Sequence, residues 1–380
     1  MRRRSFLLGA ASQPAAPAPP LLLFTTEEAA RLKPPARLKA LCDQALQQKP
    51  LSVTFHRPGP LSKAGPHDFF SEGPYWWPDP ANPAGPYIRK DGQVNPDRFE
   101  DNDRDLARMS DTVCTLGLAA WFLKDRQAAA HAWQLLDTWF LAPATLMNPN
   151  LEFGQAIRGV TEGRGIGIID ARPLIWCVQG ALLLHAAFPD QPRIKELRSW
   201  FARFTNWLTT SKKGIDERDN GNNHSTWWAA QVAAYAVFCG NEKVERLAYA
   251  QYRDTIVPKQ LRPDGAAPEE EARTRSLSYS AMNLDGFALL CRVAAIRGAD
   301  LWTYKTKDGA GVLTSAAYLI PFLNGTAAWT KPQITPIDKI RPYFPGLAGL
   351  ATHNESWLGL QRKTGPLNGP WGVILEMLLQ

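Results

Sequence analysis

Hydrophobic residues recur at helical spacing along most of the chain. In the segment 103–124, for example, Met109, Val113 and Leu116 follow one another at intervals of three or four residues, which places them on one face of an α-helix. Alternation of apolar and polar residues, which indicates a half-buried strand, is convincing only at 51–55. Helices are predicted over the segments 27–48, 103–124, 127–140, 172–187, 191–210, 225–239, 242–257, 270–296, 311–324 and 355–362. Successive amphipathic helices without strands between them predict an all-α fold.

Two long segments rich in proline and glycine interrupt the predicted helices. The first, 58–96, contains Tyr75, Trp76 and Trp77, and the second, 151–170, has three glycines at alternate positions. Long ordered loops in compact domains are usually functional. The aromatic residues are expected either to form a hydrophobic plug or to provide a platform on which sugar rings stack. The glycines do not indicate a nucleotide site, because no predicted strand precedes them.

The composition limits the classes of partner. The chain has 380 residues and a formal net charge of +7, which is long enough to bury a large core. No stretch after the N-terminus approaches the roughly 18 to 20 continuous apolar residues of a membrane span, and no Lys/Arg-rich run indicates nucleic-acid binding. We therefore expect a soluble body with no membrane or nucleic-acid partner. Its mild positive charge suits a polyanionic ligand.

The sequence has no pattern that indicates a metal or a cofactor. The acidic run at 100–105 cannot be an EF-hand loop, because its sixth and twelfth positions would be Leu106 and Thr112 where that loop needs Gly and Glu. The cysteines are odd in number, far apart and set in apolar helical segments, which predicts buried free thiols and not zinc ligands or disulfides. They are Cys42, Cys114, Cys177, Cys239 and Cys291.

The N-terminal 20 residues have the character of an export leader. Arg3-Arg4-Ser5-Phe6-Leu7 resembles a twin-arginine signal, with a short apolar patch and small residues after it. We expect export to the periplasm or secretion, with a disordered basic tail as the alternative. The remainder, 21–380, is expected to be a single domain.

Residues 222–228 combine polar and aromatic groups at a predicted helix start. Asn222, Asn223 and His224 precede an apolar helical run, where free backbone N–H groups, an amide and an imidazole could bind one anion, such as a carboxylate. Trp227 and Trp228 beside them would offer flat apolar faces to a sugar ring. The alternative is structural: an asparagine caps the helix and the histidine packs on a tryptophan.

A second group of polar residues lies about fifty positions further on. A phenol such as Tyr279 titrates near pH ~10 when unperturbed, and a neighbouring guanidinium would favour the phenolate that a proton abstraction needs. On an ideal helix Arg275 shares a face with Tyr279, whereas Arg273 is rotated by about 120°. The alternative is an exposed basic face paired with the acids at 269–271.

Taken together and in this order, the motifs resemble the alginate-lyase-type polysaccharide lyases, which are built as α/α toroids. The likeness includes a stretch that ends at Gln155 and another that contains Arg164. The segments that carry it are 67–70, 75–79, 145–155, 162–170, 222–225 and 273–279. The resemblance implies an incomplete (α/α) toroid of antiparallel helix hairpins with long Pro/Trp-rich loops. The implied substrate-binding residues are Asn222, Trp76, Trp77, Tyr75, Trp227, Trp228, Arg164 and Gln155.

The resemblance also implies catalytic roles. Asn223 and His224 match the pair that neutralises the substrate carboxylate, and Tyr279 matches the phenol that serves the proton transfers. Some relatives place the catalytic arginine seven residues before that tyrosine, where this chain has alanine. Either Arg273 or Arg275 would therefore fill the role.

The expected activity is β-elimination in a 1,4-linked β-D-uronate polymer, either mannuronate-rich alginate or glucuronan. We expect a monomer without cofactor or metal. An inverting glycoside hydrolase is the first alternative, since α/α toroids also host that chemistry. Such an enzyme would need two carboxylates about 6.5–9.5 Å apart, and Glu162, Asp170 and Asp219 are the candidates. A periplasmic protein that binds a glycan without cleaving it is the second.

Overall fold

The computed structural model describes residues 21–59, 62–365 and 367–380, so the predicted export leader lies outside the described residues. Helices dominate the described part, which confirms the all-α prediction. Their bounds are α1 Thr26–Arg31, α2 Arg37–Ala45, α3 Asp101–Phe122, α4 Arg126–Leu136, α5 Leu174–Ala187, α6 Ile194–Thr210, α7 Lys212–Arg218, α8 Asn223–Cys239, α9 Glu242–Gln251, α10 Val257–Gln260, α11 Pro268–Glu271, α12 Ser276–Ile296, α13 Val312–Leu323, α14 Phe344–Thr352, α15 Glu355–Lys363 and α16 Gly369–Leu378.

Short strands tie the two long loops to each other. Strand β1 (Phe70–Glu72) pairs in parallel with β4 (Phe153–Ala156), and β2 (Trp76–Trp77) pairs antiparallel with β3 (Ile88–Arg89). The strand predicted at 51–55 is wrong. One 3₁₀ turn forms there, because the Ser52 hydroxyl accepts a hydrogen bond from the Thr54 N–H and so favours a local turn over a ladder.

Two predicted helices are each divided in the structure. The segment 27–48 contains Pro34 and Pro35 between α1 and α2, and proline both lacks the N–H and disfavours helix in the residue before it. The segment 270–296 breaks between α11 and α12, where the backbone of Thr274 accepts a hydrogen bond from the Ile334 N–H and Arg275 bridges to Gln333. Tertiary pairing therefore overrides the helical pattern at that point.

The helices form two layers. Helices α5, α8 and α12 bury residues on nearly every face, as inner helices do, whereas α4, α6 and α9 are amphipathic. Helices α6 and α9 pack on α8, and α4 packs on α3. Helix α3 packs on α5, α6 on α8, α8 on α12, α12 on α14, and α16 returns to α3. Trp176 of α5 stacks on Trp371 of α16 with their ring centroids 4.9 Å apart. The last helix, α16, thus packs on the same core as α3 and α5.

Within the described residues, one helical stretch is long and apolar enough for a membrane span by length and composition. This stretch, Gly165–Ala187, has 72% of its most apolar window buried inside the protein, as a core helix does. All five cysteines are free thiols and four of them are buried, which confirms the prediction made for them.

Two glycines allow α3 and α5 to approach closely. A Cβ atom added at Gly117 would lie 2.5 Å from the Gly180 carbonyl oxygen, and one added at Gly180 would lie 2.6 Å from the Val113 oxygen. These contacts are to backbone, which cannot move aside as a flexible side chain could. The helix pair therefore requires glycine at both positions.

Gly117→Ala is expected to lower the free energy of unfolding by about 1–3 kcal/mol, the usual cost of forcing an extra methyl group into a packed core. The measurement is urea unfolding followed by far-ultraviolet circular dichroism. The control is Gly359→Ala in α15, where no neighbouring atom lies within 4 Å. That change should raise stability by about 0.5–1 kcal/mol, because it removes backbone freedom from the unfolded chain. Equal effects of the two changes would contradict the close-approach interpretation.

Candidate active site

A cavity of about 730 Å³ opens where the N-terminal ends of α8 and α12 face the first long loop. Ten of the thirteen residues predicted for the site line it, although they come from five separate parts of the chain. They are Tyr75, Trp76, Gln155, Arg164, Asn222, Asn223, His224, Arg273, Arg275 and Tyr279. The structure therefore brings the two motifs and parts of both loops into one space.

Tyr279 lies in the first turn of α12 and has two close partners. Its hydroxyl oxygen is 2.5 Å from the hydroxyl oxygen of Tyr75, and the guanidinium carbon of Arg273 lies 3.8 Å from the centroid of its ring. Arg273 in turn donates to Asp91 at 2.8 Å. Burial raises the pKa of Asp91, but hydrogen bonds from Arg273 and Thr274 outweigh it and hold that pKa well below its usual range. The ionised carboxylate thus fixes the guanidinium over the ring.

The pKa of Tyr279 is raised, not lowered. Burial is the largest cause, and the hydroxyl of Tyr75 adds to it, while Arg273 acts in the opposite direction without prevailing. Arg273 lowers the pKa of Tyr279, as expected for a guanidinium. The expectation of an acidic phenol is nevertheless wrong, because burial and Tyr75 raise that pKa by more. In the free protein Tyr279 is a neutral phenol at neutral pH, and its conjugate base would be a strong one.

The break before α12 determines which of the two arginines contacts the Tyr279 ring. The helical-face argument for Arg275 is wrong, because α12 begins only at Ser276 and the preceding residues do not continue a helix. Arg273 reaches the Tyr279 ring from this non-helical segment. Arg275 lines the same cavity, and its Nε atom is buried without a hydrogen-bond partner in the described residues.

Asn222 and His224 lie at the start of α8. The side-chain oxygen of Asn222 accepts a hydrogen bond from the His224 N–H at 3.0 Å, so the helix-capping interpretation of this residue is correct. The Nδ1 atom of His224 is 2.9 Å from Oε1 of Glu217 in α7. An ionised Glu217 carboxylate accepts from Nδ1, and Nε2 is the other ring atom that can form a hydrogen bond.

Two buried glutamates stand behind the Asn-His pair. Glu217 contacts His224, and Glu270 accepts from both the backbone N–H and the side-chain amide of Asn223 at 2.6–3.0 Å. Burial raises the pKa of each carboxyl group, and hydrogen bonds from its partner lower it in part. The alternative that placed 269–271 on an exposed face is wrong for Glu270, which is only 1% exposed.

A strained backbone position shapes the opposite wall. Gln155 has a φ of +50°, which is uncommon for a residue other than glycine and concentrates at functional sites. Its side chain donates to Asp170 at 2.8 Å, and Arg164 donates to both its backbone and side-chain oxygens. The Arg164 guanidinium carbon lies 5.8 Å from the ring centroid of Trp76. Burial lowers the pKa of Arg164 to about 10, so it remains a cation.

Comparisons with known proteins identify the family of this chain. Residues 53–329 match the family model described as alginate lyase. The chain belongs to the alginate lyase family. A curated alginate lyase of Pseudomonas syringae is 30% identical over 118 residues, and one of Pseudomonas aeruginosa is 29% identical over 117. Each match covers only about a third of either protein: 31% of this chain and 30% of the first relative, and 30% of both for the second.

Solved structures extend the similarity to nearly the whole chain. The crystal structure of an alginate lyase from Bacteroides ovatus superposes with a TM-score of 0.85 and 29% identity, covering 93% of this chain and 98% of that one. An alginate lyase from Sphingomonas species A1 superposes with a TM-score of 0.52 at 18% identity, covering 92% and 90%. The second likeness is one of fold alone. Both structures confirm the predicted α/α toroid.

Three tryptophans that were predicted to stack against sugar rings do not line the cavity: Trp77, Trp227 and Trp228. Trp228 is fully buried and its indole N–H donates to the Leu208 oxygen at 3.0 Å, while Trp227 is 5% exposed and lies under Arg172. The prediction is wrong for both, because an inner helix buries both residues at successive positions. Trp77 instead donates to the Gln93 carbonyl and has Lys90 over its ring.

Sequence reasoning missed several charged residues of the site. Arg89, Arg104 and Arg172 join the three predicted arginines in the lining, against the carboxyl groups of Asp103 and Asp170. Burial first, and Asp170 second, raise the pKa of Asp103 to about 7. Six guanidinium groups against two carboxyl groups make the cavity suited to a polyanion. No local pattern marks these residues, since each belongs to an otherwise ordinary helix or loop.

Of the three carboxylates considered for a hydrolase, only Asp170 lines the cavity. Glu162 lies 3.8 Å from the Lys63 ammonium, and Asp219 lies 2.8 Å from the Arg218 guanidinium on the surface. Asp170 itself accepts hydrogen bonds from Ser71 and Gln155. The pair that a hydrolase would need is thus not formed by the predicted residues.

Proposed function

We propose that this protein is a polysaccharide lyase that cleaves a 1,4-linked β-D-uronate polymer by β-elimination. The observation that carries the proposal is the contact of Tyr279 with Tyr75 and Arg273 in the same cavity as Asn223 and His224. An amide and an imidazole suit a carboxylate, and a phenol held by a second phenol and a guanidinium suits proton transfer. Membership of the alginate lyase family supports the same chemistry.

In the proposed reaction, His224 and Asn223 bind the carboxylate of the sugar on the reducing-end side of the cleaved bond. Partial neutralisation of that carboxylate stabilises the enolate-like charge that forms when C5 loses its proton. Tyr279 first releases its own proton to solvent, and the phenolate, stabilised by the Tyr75 hydroxyl and the Arg273 guanidinium, then removes H5. The C4–O4 bond then breaks as the C4=C5 double bond forms.

The same tyrosine can complete the reaction for D-mannuronate or D-glucuronate. In these sugars H5 and the leaving O4 lie on the same side of the ring, so the proton taken from C5 can be returned to O4. The raised pKa of Tyr279 makes its phenolate a strong base for H5, and the phenol so formed passes that proton to O4 as the C4–O4 bond breaks. In L-guluronate the two groups lie on opposite sides, and His224 would have to share the work.

The first test of the proposal is ultraviolet absorbance over time on polymannuronate, polyguluronate and glucuronan, with reducing ends counted in parallel. We expect absorbance to rise on polymannuronate or glucuronan, because elimination leaves a conjugated double bond. The names of the relatives favour alginate over glucuronan. New reducing ends without a rise in absorbance would show that the protein is a hydrolase and not a lyase. Binding without new chain ends would show that it binds the glycan without cleaving it.

We also propose that the protein is exported, that residues 21–380 form one domain, and that it acts as a monomer. Export is supported by the Arg3-Arg4 motif in the N-terminal leader. N-terminal sequencing of protein recovered from a periplasmic extract would test the leader, and light scattering would test the oligomeric state. Recovery of uncleaved chain from the cytoplasm alone would contradict export.

A further inference from the structure

The side-chain amide of Asn223 is held from one side only. Asn223 is fully buried, and its backbone N–H donates to Oε1 of Glu270 at 2.6 Å. Its Nδ2 atom lies 3.0 Å from Oε1 and 2.9 Å from Oε2 of the same carboxyl group. Its Oδ1 atom has no hydrogen-bond partner among the described residues. In this arrangement the Asn223 NH₂ group donates to the Glu270 carboxyl group, and the amide oxygen is left as an unpaired acceptor.

An unpaired acceptor at Asn223 does not suit the proposed function, on which this inference rests, because the amide would have to bind a carboxylate. A uronate carboxylate is itself an acceptor, so the end of the amide that meets it must be a donor. The oxygen and nitrogen of a side-chain amide have nearly the same shape. A half-turn of the amide group therefore exchanges them without displacing any neighbour. Such a turn would place Nδ2 where Oδ1 is, provided that Glu270 can donate a hydrogen bond to Oδ1.

We propose that Glu270 is a positioning residue that carries a proton when substrate is bound and so turns the Asn223 amide toward the substrate. The protonated carboxyl group donates its O–H to Oδ1 of Asn223 and still accepts from the backbone N–H. Nδ2 is then free to donate to the uronate carboxylate. One proton on Glu270 thus converts the amide from an acceptor into a donor at the cavity wall.

The surroundings of Glu270 favour the protonated form. Burial is the largest cause of its raised pKa, ahead of the opposing hydrogen bonds from Asn223 and the charges of Arg273 and His224. Arg273 is already paired with Asp91, and the His224 ring is paired with Glu217. An incoming carboxylate would add a further negative charge, which raises the pKa of a neighbouring acid.

Other titrating groups also face this region. Lys331 pairs with the adjacent Glu271, and Asp103 lines the cavity with a pKa of about 7. These groups are the same in wild-type protein and in a variant at position 270. A difference between the two pH profiles therefore reports on Glu270.

The test is Glu270→Gln, with KM for polyuronate and Kd for a saturated oligouronate measured against pH. A glutamine can donate from Nε2 to Oδ1 of Asn223 and accept the backbone N–H at every pH. We expect the variant to lack the rise in KM and Kd, of about tenfold, that wild type shows when Glu270 ionises.

Two outcomes would overturn the assignment. One is a folded Glu270→Gln protein, judged by its melting temperature, whose affinity falls about 100-fold or more, since the carboxylate would then be needed as an acceptor. The other is a pH profile identical to that of wild type. Should the variant not fold, Asn223→Ala decides the matter: its weaker binding must lack the same pH step. Wild-type binding without any double-bond product would refute the lyase proposal separately, because Kd still reports on Glu270.

Discussion

Tyr279→Phe is expected to lower kcat on a polyuronate by about 10²- to 10⁴-fold, the usual contribution of a positioned acid or base. The variant lacks the hydroxyl that would take H5 and return a proton to O4, yet its ring can remain under Arg273. Binding of a saturated oligouronate should therefore stay within about fivefold of wild type, since one neutral hydrogen bond contributes about 1 kcal/mol. Initial rates and calorimetric Kd values measure the two effects separately.

A matched control is Tyr304→Phe. Tyr304 also has a hydrogen-bonded hydroxyl, which donates to the Arg253 carbonyl at 2.7 Å, but it does not line the cavity. Loss of the Tyr304 hydroxyl should lower the free energy of unfolding slightly and leave kcat almost unchanged. Near-normal turnover of Tyr279→Phe with unchanged binding would remove this residue from the mechanism, and the proton acceptor would have to be sought at Tyr75 or His224.

Arg273→Ala is expected to lower kcat by about 10²- to 10³-fold at neutral pH, as loss of a charge-stabilising donor does. Because Arg273 lowers the pKa of Tyr279, its removal should raise that pKa further. It would also leave Asp91 without its main partner near the phenol. The phenolate would then form only at higher pH, so part of the lost rate should return as the pH is raised.

Arg275→Ala separates this role from general attraction of a polyanion. Arg275 lines the same cavity, but Arg273 is the arginine that lies over the Tyr279 ring, so loss of Arg275 should raise KM and leave most of kcat. Complete kinetics of both variants across pH provide the comparison. A larger fall in kcat for Arg275→Ala than for Arg273→Ala would reverse the assignment of the two arginines.

The structure changes how Tyr279 must be regarded. From spacing alone a nearby guanidinium was expected to make it acidic, but burial and the hydroxyl of Tyr75 raise its pKa. Tyr75 lies 204 residues away in the chain, and no sequence pattern could have joined the two phenols. The proposed base is therefore a protonated phenol at rest, which must lose that proton before it can take H5.

The sequence by itself determined the features that depend on neighbours within a few residues. Helical periodicity predicted most of the α-helices, and Asn222 could be recognised as a cap because capping joins a side chain to an N–H two residues on. The order of the motifs around His224 and Tyr279 was enough to indicate the family. These features can be recognised in the sequence because each depends on residues within one helical turn or one short loop.

Only the tertiary structure decided which of the predicted residues face a ligand. An inner helix such as α8 is apolar on nearly every face, so its sequence could not show that Trp227 and Trp228 lie in the core. The non-helical segment that brings Arg273 to Tyr279 depends on pairing with residues near 333. Glu270 reaches Asn223 across 47 positions. Burial and long-range contact set the exposure, the charge and the pKa of these groups, because all three depend on what surrounds a residue and not on its neighbours in the chain.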